Sequence, residues 1–158
     1  MSGIEENRTA QSDVMGAAAK APLELGRVQA VVATVVAALL VNLVIWAIGA
    51  AAGGSFEFTN VDIRQSAAPG GVVILTVVPL LIGMILAALL SYRWFGAIRV
   101  AQVVGPALAL LTIVSTLLAD FDGASTVALA AMHVAIAPIV VVGLEAMRRR
   151  LVRQQAAA

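Results

Sequence analysis

The chain has 158 residues, of which 61% are hydrophobic and only 12% charged, and its formal net charge is +1. Soluble domains carry roughly 25% charged residues, so this chain cannot cover a water-facing surface and is expected to reside in a bilayer. It has no cysteine, which excludes disulfides, thiolate nucleophiles and thiolate metal ligands. The basic residues lie at the ends of apolar runs, a pattern that does not indicate a nucleic-acid partner.

Four apolar runs follow a polar N-terminal stretch. Residues 1–26 are small, polar and of mixed charge, which predicts a disordered cytoplasmic tail. The first apolar run is longer than the roughly 7–15 residues of a signal-peptide core, so it predicts an uncleaved helix. The predicted spans cover about 28–52, 70–91, 97–118 and 125–147.

The connections between these spans set the predicted fold. Residues 53–69 begin with Gly53-Gly54, which ends the first helix, and continue with an alternating Ser55–Phe58 stretch. An isolated strand is marginal, so we expect an ordered loop with its phenylalanines at the membrane interface. The other two connections are short and force antiparallel neighbours. The expected fold is all-α, a transmembrane four-helix up-down bundle.

The distribution of lysine and arginine along the chain predicts its orientation in the membrane. The positive-inside rule predicts that both termini are cytoplasmic, in a bacterial inner (plasma) membrane, with residues 149–158 as a basic tail. Only Arg64 falls on the opposite side. The residues on the predicted cytoplasmic side are Arg8, Lys20, Arg27, Arg93, Arg99, Arg148, Arg149, Arg150 and Arg153.

Small residues recur every third or fourth position in each span. In lipid, close packing through such residues drives helix association. The stripes therefore predict either packing within the bundle or homo-oligomerisation. They are Ala30, Thr34 and Ala38; Gly83, Ala87 and Ser91; Ala97, Ala101, Gly105 and Ala109; and Ala128, Ala131 and Ala135.

Each span places one polar side chain in the outer half of the membrane. Because an unpartnered polar group facing lipid costs several kcal/mol, Asn42, Thr76, Thr112 and His133 are expected to turn inward and meet. This candidate cluster has two interpretations. It could fix helix register, with His133 bonded to Asn42, or it could be a proton relay or ligand site. A metal site is not expected, because one histidine cannot complete a coordination shell.

Charged residues flank the fourth span. Asp120 and Asp122 precede it, where Asp122 or Ser125 could cap the helix and the two aspartates could form an outer vestibule. Arg148, Arg149 and Arg150 follow it and are interpreted as a topology anchor with contacts to anionic lipid.

No constellation of side chains indicates an enzyme, and no cofactor is implied. The favoured hypothesis is an accessory or interaction subunit whose partners are the lipid bilayer and either a larger membrane protein or a second copy. The alternative is a small transporter or channel-like protein with a polar site around His133 and Asn42.

The motifs Asn42-Leu43-Val44-Ile45-Trp46 and Ala130-Ala131-Met132-His133 resemble those of an uncharacterised family of small four-span bacterial membrane proteins, a domain of unknown function. The resemblance covers roughly residues 27–147. It implies four helices and assigns no activity.

Overall fold

The computed structural model describes residues 23–60, 63–67 and 69–157. The four expected helices are present, and each is long and apolar enough to cross a membrane. The all-α four-helix prediction is therefore confirmed. The elements are α1 (Arg27–Ala51), β1 (Glu57–Asn60), β2 (Ile63–Ser66), α2 (Pro69–Arg93), α3 (Ala97–Leu118) and α4 (Gly123–Ala156).

Both ends of the chain have regular contacts or helical structure where they are described. Helix α4 continues through Ala156, so most of the expected basic tail is helical. The end of the expected N-terminal tail packs on α4: the Leu25 N–H donates to the Ala146 carbonyl at 3.2 Å, and Glu24 pairs with Arg153 at 2.8 Å. Residues 1–22 of that tail lie outside the described residues.

The loop between α1 and α2 contains an antiparallel hairpin, so the expectation of a strand-free loop is wrong. Strands β1 and β2 pair from Glu57 opposite Ser66 to Asn60 opposite Ile63. A lone hairpin is only marginally stable in water, but this one packs against the turn between α3 and α4. The Phe58 ring lies 4.9 Å from that of Phe121 in the α3–α4 turn, and these contacts supply the stability that strand pairing alone lacks.

Helix α1 ends in a Schellman motif that starts the chain toward the hairpin. Gly53 has φ +91°, a left-handed conformation that costs glycine little. Its N–H donates to the Ala50 carbonyl at 3.0 Å, and the Gly54 N–H donates to the Gly49 carbonyl at 2.9 Å. The predicted helix stop at Gly53-Gly54 is confirmed.

The helices pack in chain order around a ring. Helix α1 contacts α2 and α4, and α3 packs mainly on α4 with a lighter contact to α2. No residue in the most apolar stretch of α3 is buried, whereas 28% of the residues in the most apolar stretch of each other helix are buried. The apolar stretch of α3 is therefore the least buried of the four.

The α1–α4 interface has two very close approaches. A Cβ on Gly143 would collide with the Thr34 hydroxyl, and a Cβ on Gly49 would lie 2.6 Å from the Ala128 Cβ. The same number of residues separates the two contacts on each helix, as an antiparallel pair requires. The small-residue stripe of α1 faces the interior of the bundle, because Ala30 and Ala38 are fully buried. Its role within the bundle is therefore packing between helices.

Two apolar clusters fill the interior. One lies at the end of the bundle that carries the hairpin, here called the hairpin end, and contains Phe56, Ala67, Val72, Ala128 and Met132. The other lies toward the opposite end, where α1 begins and most of the arginines lie, here called the arginine end. It contains Ala30, Val31, Met84, Ala87, Ala88, Ile98, Val140, Leu144, Met147 and Leu151.

The close approach at Gly143 gives a stability prediction. Gly143→Ala should lower the free energy of unfolding by about 1–3 kcal/mol, because the added methyl group meets Thr34 in a packed interface. Thermal denaturation of purified protein in a mild detergent measures the change. Gly83→Ala is the matched control: it is also mid-helix, and a Cβ there meets nothing within 4 Å.

The second substitution Thr34→Ala should recover much of the loss in the Gly143→Ala protein, since it removes the colliding hydroxyl. Equal destabilisation by Gly143→Ala and Gly83→Ala would contradict the close approach.

Candidate functional site

The buried polar centre of the bundle is a pair of side chains from α1 and α2. The Asn42 Nδ2 donates to the Thr76 Oγ1 at 2.9 Å. The two residues are only 2% and 4% exposed. The prediction that these two polar groups turn inward and meet is confirmed. A buried hydrogen bond of this kind fixes the axial register of α1 against α2.

Thr112 does not join the pair, and the prediction that it turns inward is wrong. Its side chain is exposed on α3, and its hydroxyl donates to the Ala109 carbonyl at 2.6 Å. A threonine hydroxyl can reach a carbonyl one turn back on its own helix, so lipid exposure does not leave it without a partner. Its neighbour Ser115 is exposed too, whereas Thr116 is buried and bonds the Thr112 carbonyl at 3.3 Å.

His133 also bonds within its own helix. Its Nδ1 lies 2.7 Å from the Leu129 carbonyl, and the residue is half-buried. Because a carbonyl only accepts, Nδ1 carries the proton and Nε2 is the acceptor in the neutral ring. The expected bond to Asn42 is therefore not formed.

The Asn42–Thr76 pair lies between the two apolar clusters. Val72 of the hairpin-end cluster is one turn from Thr76 on α2, and Met84 of the arginine-end cluster is two turns away on the other side. Leu43 and Trp46 of α1 pack against the hairpin-end cluster beside Asn42. Apolar side chains thus flank the pair on both sides along the bundle axis.

Helix α1 also carries three buried polar atoms that have no hydrogen-bond partner within the described part of the chain: the Thr34 Oγ1, the Asn42 Oδ1 and the Trp46 Nε1. They recur at multiples of four residues, so they share one face of the helix. Leaving such an atom buried and unsatisfied costs about 1–3 kcal/mol each. This face of α1 is therefore the most polar line inside the bundle.

A second polar constellation closes the hairpin end. Asp122 caps α4 by accepting from the Ser125 N–H at 2.9 Å, which confirms one of the two predicted caps. Its other carboxylate oxygen accepts from the Ser125 hydroxyl at 2.6 Å and from the Ser55 N–H and hydroxyl at 2.9 and 2.8 Å. One carboxylate therefore joins the α4 N-terminus to the segment that leads into the hairpin.

Ser125 and Phe56 complete this connection. The Phe56 N–H donates to the Ser125 Oγ at 2.8 Å, and Phe56 has φ +54°, a left-handed conformation unusual for a bulky residue. Its ring is 2% exposed and lies 6.3 Å from the Trp46 ring. The four residues Ser55, Phe56, Asp122 and Ser125 are here called the hairpin clamp.

Sequence reasoning found Asp122 and Ser125 as candidate helix caps, and Asp122 also as part of a vestibule, but missed their link to Ser55. The available signal was the coincidence of a Gly-Gly-Ser stretch with an Asp-x-x-Ser helix start. Asp120, the other residue of the predicted vestibule, is exposed and makes no hydrogen bond among the described residues. The two aspartates therefore differ in their surroundings.

The arginine end contains an ion-pair network. Glu145 accepts from the Arg148 Nε and Nη2, both at 2.8 Å, from the Arg149 Nε at 3.0 Å, and from the Gln102 amide of α3 at 3.2 Å. The Glu145 carboxylate is therefore paired with two of the three arginines that follow the fourth span. It also links α3 to α4 near their ends.

These features define a class of protein: a small four-helix membrane bundle with a clamped hairpin at one end and an ion-pair network at the other. The chain belongs to the family of unknown function DUF6069, whose family model matches residues 24–150. The resemblance to a domain-of-unknown-function family is thereby confirmed. No curated protein and no solved structure matches the chain.

The hairpin clamp predicts that the stability of the folded protein depends on pH. The Ser125 hydroxyl, followed by the Ser125 N–H and the Ser55 donors, holds the pKa of Asp122 well below its ordinary value of 3.8. A carboxylate whose pKa is lowered on folding stabilises the protein above its unfolded pKa. That stability is lost as pH falls below about 4. We expect the melting temperature of the wild type to drop over this acidic range.

Asp122→Asn should melt lower than the wild type at pH 7 and show a smaller acid-induced drop, because the amide can still cap but carries no charge. Asp120→Asn, the matched control, should follow the wild type throughout. Identical pH profiles for Asp122→Asn and the wild type would show that the clamp carboxylate does not stabilise the fold.

Proposed function

We propose that this protein is a non-enzymatic accessory subunit that packs, through the outward face of α3, against a transmembrane helix of another integral membrane protein. The observation that carries the proposal is the absence of any buried residue in the most apolar stretch of α3. The other three helices each bury part of theirs. The apolar stretch of α3 therefore remains open to a partner helix, although α3 itself packs extensively on α4.

Two hydroxyls on that face support a helix partner. Thr112 and Ser115 are both exposed and lie three residues apart, so they share one side of α3. The large side chains beside them, Leu108 and Leu111, are 57% and 64% exposed. The Thr112 oxygen donates to its own helix but can still accept a hydrogen bond from a partner. Such interhelical bonds in membranes are worth about 0.6–2 kcal/mol.

The transport alternative has less support among the described residues. It would need Asn42 and His133 to share a polar path, but Asn42 bonds Thr76 and His133 bonds the Leu129 carbonyl. The Asn42–Thr76 pair is also flanked by the two apolar clusters. The arrangement favours a structural role for the pair.

Site-specific crosslinking tests the accessory role. Because the natural chain has no cysteine, a single cysteine that carries a photo-crosslinker can be placed at Leu111 of α3. We expect one defined integral membrane protein to be crosslinked in native membranes. A cysteine at Leu75 of α2, which is 70% exposed, is the matched control and should give only diffuse products.

The double substitution Thr112→Leu with Ser115→Leu should reduce the Leu111 crosslink by about eightfold, if each hydroxyl contributes roughly 0.6 kcal/mol. A product that contains two copies of this chain would indicate homo-oligomerisation and contradict the accessory role. Equal labelling from Leu111 and Leu75 would also contradict it.

We further propose that the protein lies in the bacterial inner membrane with both termini in the cytoplasm. The support is the bias of arginine to the arginine end of the bundle, to which Arg64 in the hairpin is the exception among the described residues. A reporter active only in the cytoplasm should be active when fused after Ala158 and inactive when inserted in the hairpin. The opposite pattern would reverse the orientation.

A further inference from the structure

The arginines at the arginine end fall into two groups according to their partners. Arg148 and Arg149 both bond Glu145, at 2.8 and 3.0 Å, and Arg153 bonds Glu24 at 2.8 Å. Four others, Arg27, Arg93, Arg99 and Arg150, have no carboxylate partner among the described residues. Of these four, Arg27 and Arg150 lie beside the same segment of backbone, at the start of α1.

Arg27 is held in a fixed orientation without being neutralised. Its Nε donates to the Ser91 Oγ at 2.9 Å, and its guanidinium carbon lies 3.8 Å above the centre of the Tyr92 ring. Ser91 in turn donates to the Ala88 carbonyl at 2.6 Å, which directs an oxygen lone pair to Arg27. These contacts use the Nε and one face of the guanidinium. Both terminal nitrogens remain available for a ligand.

The side chain of Arg150, a residue of α4, lies beside the start of α1. Its guanidinium carbon and Nε both lie 3.9 Å from the position that a Cβ on Gly26 would occupy, and Gly26 directly precedes Arg27. The first turn of α1 contains no acidic residue. Two arginines from opposite ends of the chain thus flank one segment of backbone, and no carboxylate of that turn competes for them.

We propose that Arg27 and Arg150 together bind the phosphate group of an anionic phospholipid. The planar guanidinium presents paired N–H donors that match phosphate oxygens, and a preoriented arginine loses less entropy on binding than a free one. This assignment narrows the lipid contact predicted for Arg148–Arg150 to one of those three residues and adds Arg27.

The surroundings favour a lipid over free phosphate. Tyr92 and Trp94 are 69% and 60% exposed at this end, and aromatic side chains of this kind mark the headgroup level of a membrane. Val28, one residue into α1 from Arg27, is 76% exposed and offers an apolar surface to an acyl chain. A phosphate bound at the two arginines would therefore lie where headgroups lie.

The test is lipid binding by the full chain in detergent, measured by native mass spectrometry during titration with phosphatidylglycerol or phosphatidylcholine. We expect phosphatidylglycerol to bind more tightly. Arg27→Gln and Arg150→Gln should each weaken its binding at least about tenfold, as expected for loss of a charge-assisted hydrogen bond. Arg149→Gln and Arg153→Gln remove the same charge from side chains that already have carboxylate partners, and should change binding little.

Equal weakening by all four substitutions would overturn the proposal, because it would indicate diffuse attraction. So would equal affinity for the two lipids. Displacement of phosphatidylglycerol by millimolar inorganic phosphate would assign the site to a free anion and overturn the lipid assignment. If Arg27→Gln fails to fold because it loses Ser91 and Tyr92, the exposed Arg150 still decides the question.

Discussion

The close approach of α1 and α4 is the contact on which the other features of this bundle depend. Lipid is as apolar as the helix surfaces, so burial of apolar area cannot hold the two helices together. They associate because Gly143 accommodates Thr34 and Gly49 accommodates Ala128, which lets the backbones come near enough for dispersion forces to accumulate. This spacing also brings Phe56 over Ala128 and Gly26 beside Arg150.

The two ends of this interface are fastened by different chemistry. At the hairpin end, one carboxylate, that of Asp122, collects donors from Ser55 and Ser125 and fixes the hairpin to α4. At the arginine end, Glu145 and Glu24 bond arginines of the long α4, whereas Arg150 has no carboxylate partner in the described part of the chain. The interior holds the Asn42–Thr76 hydrogen bond, which joins α2 to the same framework. Helix α3 is secured mainly by α4.

The polar residues within the spans show why depth in the membrane does not determine which way a side chain faces. Asn42 and Thr76 meet because the amide of asparagine needs a partner that its own helix does not supply. Thr112 and His133 lie at similar depths, yet each bonds a carbonyl one turn back on its own helix. A hydroxyl or an imidazole can form its hydrogen bond within its own helix. Spacing and depth alone therefore could not show which side chains bond another helix and which bond their own.

The sequence by itself determined the membrane class, the four spans, their antiparallel order, the stop at Gly53-Gly54 and the cap at Asp122. These follow from run length, glycine conformation and helix-end chemistry, all of which act over a few neighbouring residues. Only the tertiary structure decided that Ser55 meets Asp122, that the hairpin forms, that the apolar stretch of α3 stays unburied, and that Arg150 lies beside the start of α1. Those pairings join residues far apart in the chain, and they depend on helix rotation, which apolar spans of nearly uniform hydrophobicity do not encode.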